Sequence, residues 1–356
     1  MTHTFPVSPA EEAGVLTRGE ILQQPLLWPT TFERASSRYR EFAASVVVTG
    51  AGTSAHAASA IAAAWPGAVA IATTDLLLDS TDVAPDALVI FLARSGDSPE
   101  SVGVVRKIQR SHPQARHLAI TCNPEGQLAK ADGVDVMLLD PRTHDRGLAM
   151  TSSFSNLVLA GLSLRHAETL RHVLPDLCNR VESSLPELER QARLIASLKP
   201  RRVAILGSGP LHAAARESAL KVLEMTAAQC IALPETFLGL RHGPMSFLDS
   251  ESLTLCMLSS NSQSRRYELD VLQELRTKGL GTVVAIGAAD DRDIPCDHLI
   301  PAMAADLDDK LRTPFEILFA QLLAYHLSLE FGLNPDNPSP GGVINRVVRG
   351  VTIHDA

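Results

Sequence analysis

Aromatic side chains are scarce in this sequence: Phe, Tyr and Trp make up 4% of its 356 residues. A core short of them must rest on Ala, Val, Leu and Ile, a composition suited to helices packed closely on a buried parallel sheet. Cysteine is sparse too. Cys122, Cys178, Cys230, Cys256 and Cys296 are odd in number, widely scattered, and form no CxxC. That excludes a disulfide framework and reads as mostly buried thiols of a reduced, cytoplasmic chain. The twelve histidines include no HExxH and no HxxxH, so no metal ligand set is expected. No GxSxG elbow points to a serine hydrolase. No apolar run reaches about 18 residues, so no membrane span is expected. The opening MTHTFPVSPAEEAGV lacks a basic region followed by an apolar run, so no secretory leader is expected either. Basic charge is also in deficit: 32 Lys and Arg stand against 40 Asp and Glu, a net charge of −8. This argues against nucleic acid as a partner, although a small anion needs only local donors.

What is present is an ordered series of α/β steps. Residues 1–40 read as an N-terminal arm, with a short amphipathic helix at EILQQPLLW, broken by Pro25, whose Leu and Trp pack on the main body. Ser45–Thr49 is a buried strand that runs through Gly50-Ala-Gly52-Thr53-Ser54 into an alanine-rich helix. Strands are expected at 68–72, 87–92, 117–121 and 134–138. Ser98 is placed to cap a helix that begins at Pro99, a short helix is expected at 126–131, and Thr151-Ser152-Ser153 opens a long apolar helix to about Leu170. Residues 175–198 read as a separate connecting helix. The pattern then returns. Val203-Ala-Ile-Leu-Gly207 echoes Val46-Val-Val-Thr-Gly50, Leu253–Ser260 matches Leu88–Ser95, and Val284–Ile286 matches Leu118–Ile120, at offsets of 157, 165 and 166 residues. Three matches in order predict an internal duplication: two doubly wound, mostly parallel α/β units with ligands at the carboxyl ends of the strands. The expected organisation is an arm at 1–40, a first domain at 41–175, a connecting helix at 176–199, a second domain at 200–335 and a tail at 336–356 whose apolar alternation suggests that it packs.

Several short motifs carry chemistry. Gly50–Ser54 admits a G-x-G-x-x-A dinucleotide reading, but the acid expected about 20 residues further on is misplaced, since Asp75 and Asp79 lie 25 and 29 residues past Gly50. No cofactor is therefore expected. Ser95-Gly-Asp-Ser98, beside Arg94 and at a helix start, offers hydroxyls, N–H groups and a favourable dipole for an anion. With the hydroxyl-rich turns at Thr53-Ser54 and Thr151–Ser153 on the same sheet edge, phosphate binding becomes the preferred reading over plain helix capping. Glu217, Lys221 and Glu224 share one helical face at i, i+4 and i+7, followed by Arg241-His242-Gly243-Pro244. This is either an acid–base site or a charged surface helix with a loop histidine. His56 and His212, early in alanine-rich helices, read as packing or capping residues.

GAGTS, ARSGDSPES, the TSS helix start and ESALKVLE…GLRHGP together resemble the SIS (sugar isomerase) family in its two-domain form. The opening EILQQPLLW and the ending NPDNPSPGGVINRVVRGVTIH resemble the galactosamine-6-phosphate deaminase/isomerase branch, also called tagatose-6-phosphate ketose/aldose isomerase. The resemblance implies two tandem SIS domains, a cytoplasmic dimer with a shared active site, and a sugar phosphate as the small-molecule partner. It implies that Gly52, Thr53, Ser54, Arg94, Ser95 and Ser98 grip the phosphate, that Thr151 borders the sugar, and that Lys221 lines the pocket. Glu224 is implied as the base that moves a proton between C1 and C2, and His242, supplied by the neighbouring subunit in synthase relatives, as the group that assists ring opening. Two positions depart from the synthases: a serine of the phosphate loop is Ala93 here, and a near-terminal lysine aligns with Arg349, which stays protonated and cannot form an imine. With no glutamine-hydrolysing domain ahead of the repeats, ammonia release or plain isomerisation is expected rather than synthesis. A fructosamine-phosphate deglycase and a non-catalytic sugar-phosphate sensor are the alternatives.

Overall fold

The computed structural model describes residues 13–38, 45–80, 83–288, 293–339, 341–348 and 350–354. Two short helices, α1 (Val15–Leu22) and α2 (Gln24–Ser36), lead in. The first half then alternates β1 (Val46–Gly50), α3 (Thr53–Ala64), β2 (Ala68–Ala72), α4 (Thr73–Leu78), β3 (Leu88–Ala93), α5 (Pro99–Ser111), β4 (Arg116–Thr121) and β5 (Asp135–Leu138). The helix α6 (Ser152–Ala196) follows, and then β6 (Arg202–Gly207), α7 (His212–Met225), β7 (Ile231–Glu235), α8 (Phe237–Leu240), β8 (Leu253–Met257), α9 (Ser262–Thr277), β9 (Thr282–Gly287), β10 (His298–Pro301) and α10 (Asp309–Glu330).

The strands form two five-stranded sheets, β2-β1-β3-β4-β5 and β7-β6-β8-β9-β10, with every pairing parallel. The two orders are the same, and each reverses direction next to its first strand, which places a crevice at the carboxyl ends of β1 and β3 and of β6 and β8. The α/β, doubly wound, mostly parallel fold class expected from the sequence is what the chain adopts.

Alternation along the strands builds three apolar layers. Val46, Val48, Leu88, Ile90 and Leu92 of one sheet and Val203, Ile205, Leu253 and Leu255 of the other face a single central core. The helices α3, α6, α7 and α10 fill it with small and branched side chains. Val47, Val89 and Phe91 face outward under α5, while Ala204, Leu206 and Cys256 face outward under α8 and α9. The few aromatics are placed with care. Trp28 of α2 is fully buried, meets Phe315 of α10 edge-on at 5.0 Å, and donates its indole N–H to Ser155 Oγ of α6 at 3.1 Å.

The sequence reading is corrected in three places. The break at the N-terminal helix falls at Gln23, and Pro25 sits inside the first turn of α2, where its missing N–H costs nothing. The segment at 126–131 is a 3₁₀ turn, Gln127–Lys130. The break expected near Leu170 falls at His166 (φ −117°, ψ 31°), a kink across which the apolar helix and the connecting helix follow one another without a loop in the 45-residue span α6. Pro175 and Pro186 do not end it. Both are exposed, as are Arg171 and Glu182, whose carbonyls lose their helical partners and meet water instead.

Cys122, Cys178, Cys230 and Cys256 are buried, and all five cysteines are free thiols. Glu268 of α9 is a buried acid of another kind. It is 1% exposed; one oxygen accepts from the Ser259 N–H at 2.8 Å, while the other has no hydrogen-bond partner among the described residues. Burial pushes its pKa up to about 7, aided by nearby Asp309 and opposed by the Ser259 N–H. Because the folded state holds this proton more tightly than the unfolded chain, the stability that Glu268 contributes is fully present below pH ~4.5 and is lost as pH rises toward 7. The fall amounts to roughly 3 kcal/mol. Glu268→Gln is expected to shrink the stability difference between pH 5 and pH 8 in urea titrations; an unchanged difference would exclude Glu268 as its source.

Candidate active site

The alanine-rich face of α3 packs on α7 because Ala57, Ala58 and Ala60 of α3 and Ala214, Ala215 and Ala219 of α7 leave little side chain between the helix backbones. That close approach brings the start of α3 to the charged face of α7. Glu217 is fully buried and accepts three hydrogen bonds or ion pairs: from Thr53 Oγ1 at 3.2 Å, from His56 Nδ1 at 2.9 Å and from Lys221 Nζ at 3.3 Å. Lys221, also fully buried, donates to Thr53 Oγ1 at 3.0 Å and to Glu224 Oε2 through a short contact. Burial alone would lower the lysine pKa, but Glu217 and Glu224 outweigh it and hold Lys221 above its ordinary value. The ammonium is therefore charged at neutral pH and bridges a buried carboxylate to a partly open one.

Glu224 opens into a cavity of about 200 Å³, whose wall also includes Gly52, Thr53, Ser54, Arg94, Ser95 and Ser98. Gly52 turns the chain into α3 with φ 57° and ψ −126°, a conformation that disfavours any Cβ. Behind the second turn, a Cβ on Gly126 would lie 2.1 Å from the Ser95 carbonyl oxygen, so that position must be glycine for the Ser95 turn to sit where it does. Ser98 occupies the N-cap position of α5 as expected, but its hydroxyl donates to Glu100 Oε2 at 2.6 Å and does not cap the helix. The first N–H groups of α5 thus have no side-chain cap and point where an anion can use them. Arg94 is 6% exposed and spends its guanidinium on main-chain oxygens, those of Leu148 at 3.0 Å and Gly147 at 3.4 Å and that of Arg346 in a short contact. Burial, against the pull of Asp145, holds its pKa below the usual arginine value.

The other sequence-stated residues lie elsewhere. Thr151 is fully buried, and the start of α6 that it opens is occupied by Asp145. That carboxylate accepts from the N–H groups of Thr151 at 2.8 Å, Ser152 at 3.0 Å and Ser153 at 2.9 Å, and from the Thr151 hydroxyl at 3.2 Å. An acid of the chain itself already fills this anion position, so Thr151 supports the wall without bordering the cavity. His242 is exposed, in the turn after α8, and is not among the residues lining the cavity of its own chain. Arg349 lies outside the described residues.

Two participants were missed. His56, read as packing, is the third partner of Glu217. The other is Arg346, which reaches the cavity on a tail segment, Ile344 to Val348, that forms part of its wall. For His56 a signal existed: its place one turn into α3, beside Thr53. For Arg346 the sequence offers none, because the tail has no secondary structure to fix a direction.

The whole chain is similar to known proteins. A family model described as the SIS domain matches residues 42–167. The D-galactosamine-6-phosphate deaminase AgaS of Escherichia coli is 36% identical over 97% of this chain and 97% of its own. The crystal structure of the tagatose-6-phosphate ketose/aldose isomerase from Escherichia coli superimposes with a TM-score of 0.81 at 32% identity, covering 99% of this chain and 100% of that one. A solved chain from Clostridium novyi NT superimposes with a TM-score of 0.89 at 33% identity, covering 97% of this chain and 96% of its own.

Proposed function

The chain belongs to the SIS family, and on that premise we propose that it is an amino sugar phosphate deaminase and aldose–ketose isomerase acting on galactosamine 6-phosphate. The observation that carries this reading is the placement of Glu224: a carboxylate bonded to a buried, charged lysine opens into the same cavity as the hydroxyl-lined Ser95–Ser98 turn. The phosphate docks on that turn and on the first N–H groups of α5. His242 of a second copy assists opening of the sugar ring, consistent with its exposure here. Glu224 removes the proton from C2 and returns it to C1 through an enol-type intermediate, while Lys221 balances the charge on the base. The amine is left as a ketimine at C2. Water adds there and expels ammonia, so that galactosamine 6-phosphate and water become tagatose 6-phosphate and ammonia, with no change in overall oxidation state.

Two SIS domains, at about 41–175 and 200–335, divide this labour: the first holds the phosphate and the second moves the proton. The chain acts as a cytoplasmic dimer. The isomerase name of one solved relative favours a second reading, in which the same proton transfer interconverts an aldose and a ketose phosphate without loss of nitrogen. Coupled assay of ammonia release by the purified protein decides between them. Galactosamine 6-phosphate is expected to yield ammonia and ketose phosphate in equal amounts; isomerisation of a hexose phosphate with no ammonia from the amino sugar would replace the deaminase reading with the isomerase one.

A further inference from the structure

The cavity holds two guanidinium groups, and they are used differently. Arg94 is buried and its hydrogen bonds to the carbonyls of Gly147, Leu148 and Arg346 fix it as part of the wall. Arg346 is half-buried, and among the described residues its guanidinium hydrogen-bonds through Nε and one Nη, both donating to the Asp145 carbonyl oxygen, the former at 2.9 Å. A guanidinium carries five N–H donors in a planar fork, so the other Nη of Arg346 keeps its donors. Among the described residues neither arginine has a hydrogen-bonded or ion-paired carboxylate. The hydroxyls of Ser54 and Ser95 supply geometry for an anion but no charge, those of Thr53 and Ser98 are donated to Glu217 and Glu100, and Ala93 supplies neither.

The segment that carries Arg346 is held on both sides. Upstream, Asp336 accepts from the Thr17 N–H and hydroxyl, each at 2.7 Å. Downstream, Ile353 packs against the bare α-carbon of Gly103 on α5, where an added Cβ would meet it at 3.2 Å. Between these anchors the described residues form turns and bends, with the Gly342 N–H donating to the Ser339 carbonyl at 3.0 Å, and Arg346 is the one cation of the described tail that lines the cavity.

We propose that Arg346 binds the phosphate dianion of the substrate through its second Nη and thereby sets the requirement for a phosphorylated sugar. The inference rests on the cavity being the phosphate site of the preceding reading. It assigns to a tail residue the charge recognition that the first repeat's hydroxyl loop lacks. Arg94 contributes field and shape, and Arg346 contributes the direct charged hydrogen bonds, which are worth more than neutral ones.

The test titrates inorganic phosphate into the full-length protein by calorimetry. Arg346→Met is expected to weaken phosphate binding by about 10- to 100-fold, the range for charge-assisted hydrogen bonds, and Arg346→Lys to fall between it and the unaltered chain, because it keeps the charge and loses the fork. With galactosamine 6-phosphate the loss falls on KM rather than kcat. Phosphate affinity within roughly twofold of the unaltered protein in both variants would overturn the proposal, and so would a loss confined to kcat, the sign of an arginine that acts only by placing the tail. Ammonia release by the unaltered chain, with phosphate binding indifferent to position 346, would sink this inference and leave the deaminase reading standing. Phosphate binding that depends on Arg346 in a chain that releases no ammonia would do the reverse.

Discussion

Replacing Glu224 with glutamine is expected to lower kcat for ammonia release by at least about 100-fold, since a well-placed general base contributes ~10²–10⁴-fold. The substitution keeps the size of the side chain and one oxygen to accept from Lys221, so it removes the base without opening a cavity. Folding is expected to be little affected, because Glu224 is partly open to the cavity where Glu217 is sealed. Exchange of the C2 proton with solvent deuterium, followed by mass spectrometry, isolates the step. The variant should lose exchange in proportion to turnover. Retained exchange with slow ammonia release would move Glu224 from proton transfer to ketimine hydrolysis, and near-normal turnover would remove it from the chemistry.

The second large effect is on stability. Lys221→Met replaces a fully buried ammonium by an apolar chain of similar length and leaves the Glu217 and Glu224 carboxylates facing each other. Removing one member of a buried ion pair costs about 3–5 kcal/mol, because the remaining charge stays desolvated. Adding Glu217→Gln to Lys221→Met is expected to restore part of that loss, since the double variant keeps one carboxylate in place of two. Urea denaturation of the two single variants and the double variant measures the coupling. A Lys221→Met chain within about 1 kcal/mol of the unaltered one would mean that the cluster does not carry the charges assigned to it.

Much of this site was legible because its parts are local. Thr53, Ser54, Ser95 and Ser98 sit immediately after apolar strands, where an α/β chain must turn, and the periodicity of Glu217, Lys221 and Glu224 fixes one helix face without any tertiary knowledge. The strands were readable for the same reason, since each is a short apolar run bounded by glycine or polar residues. What escaped depended on distant partners. His56 gains its meaning from Glu217, 161 positions away, and only the packing of α3 on α7 brings them together. The hydroxyls at 151–153 look open to a ligand until Asp145, six residues upstream of Thr151, is found folded back over them. The tail could be read as packed but not aimed.

The single core shared by the two sheets bears on how the protein is made. The inward faces of β1 and β3 pack against α3, and α3 and α6 in turn pack against α7 and α10, the last of which ends at Glu330. A chain emerging from the ribosome therefore completes its first sheet, α3 and α6 before α7 and α10, which cover the far side of α3 and α6, have been synthesised. Trp28, made among the first residues, waits for Phe315. Such a nascent chain offers a broad apolar surface to chaperones and to its neighbours, and a truncation that spares every phosphate-binding residue but removes α10 is expected to aggregate before it can bind anything.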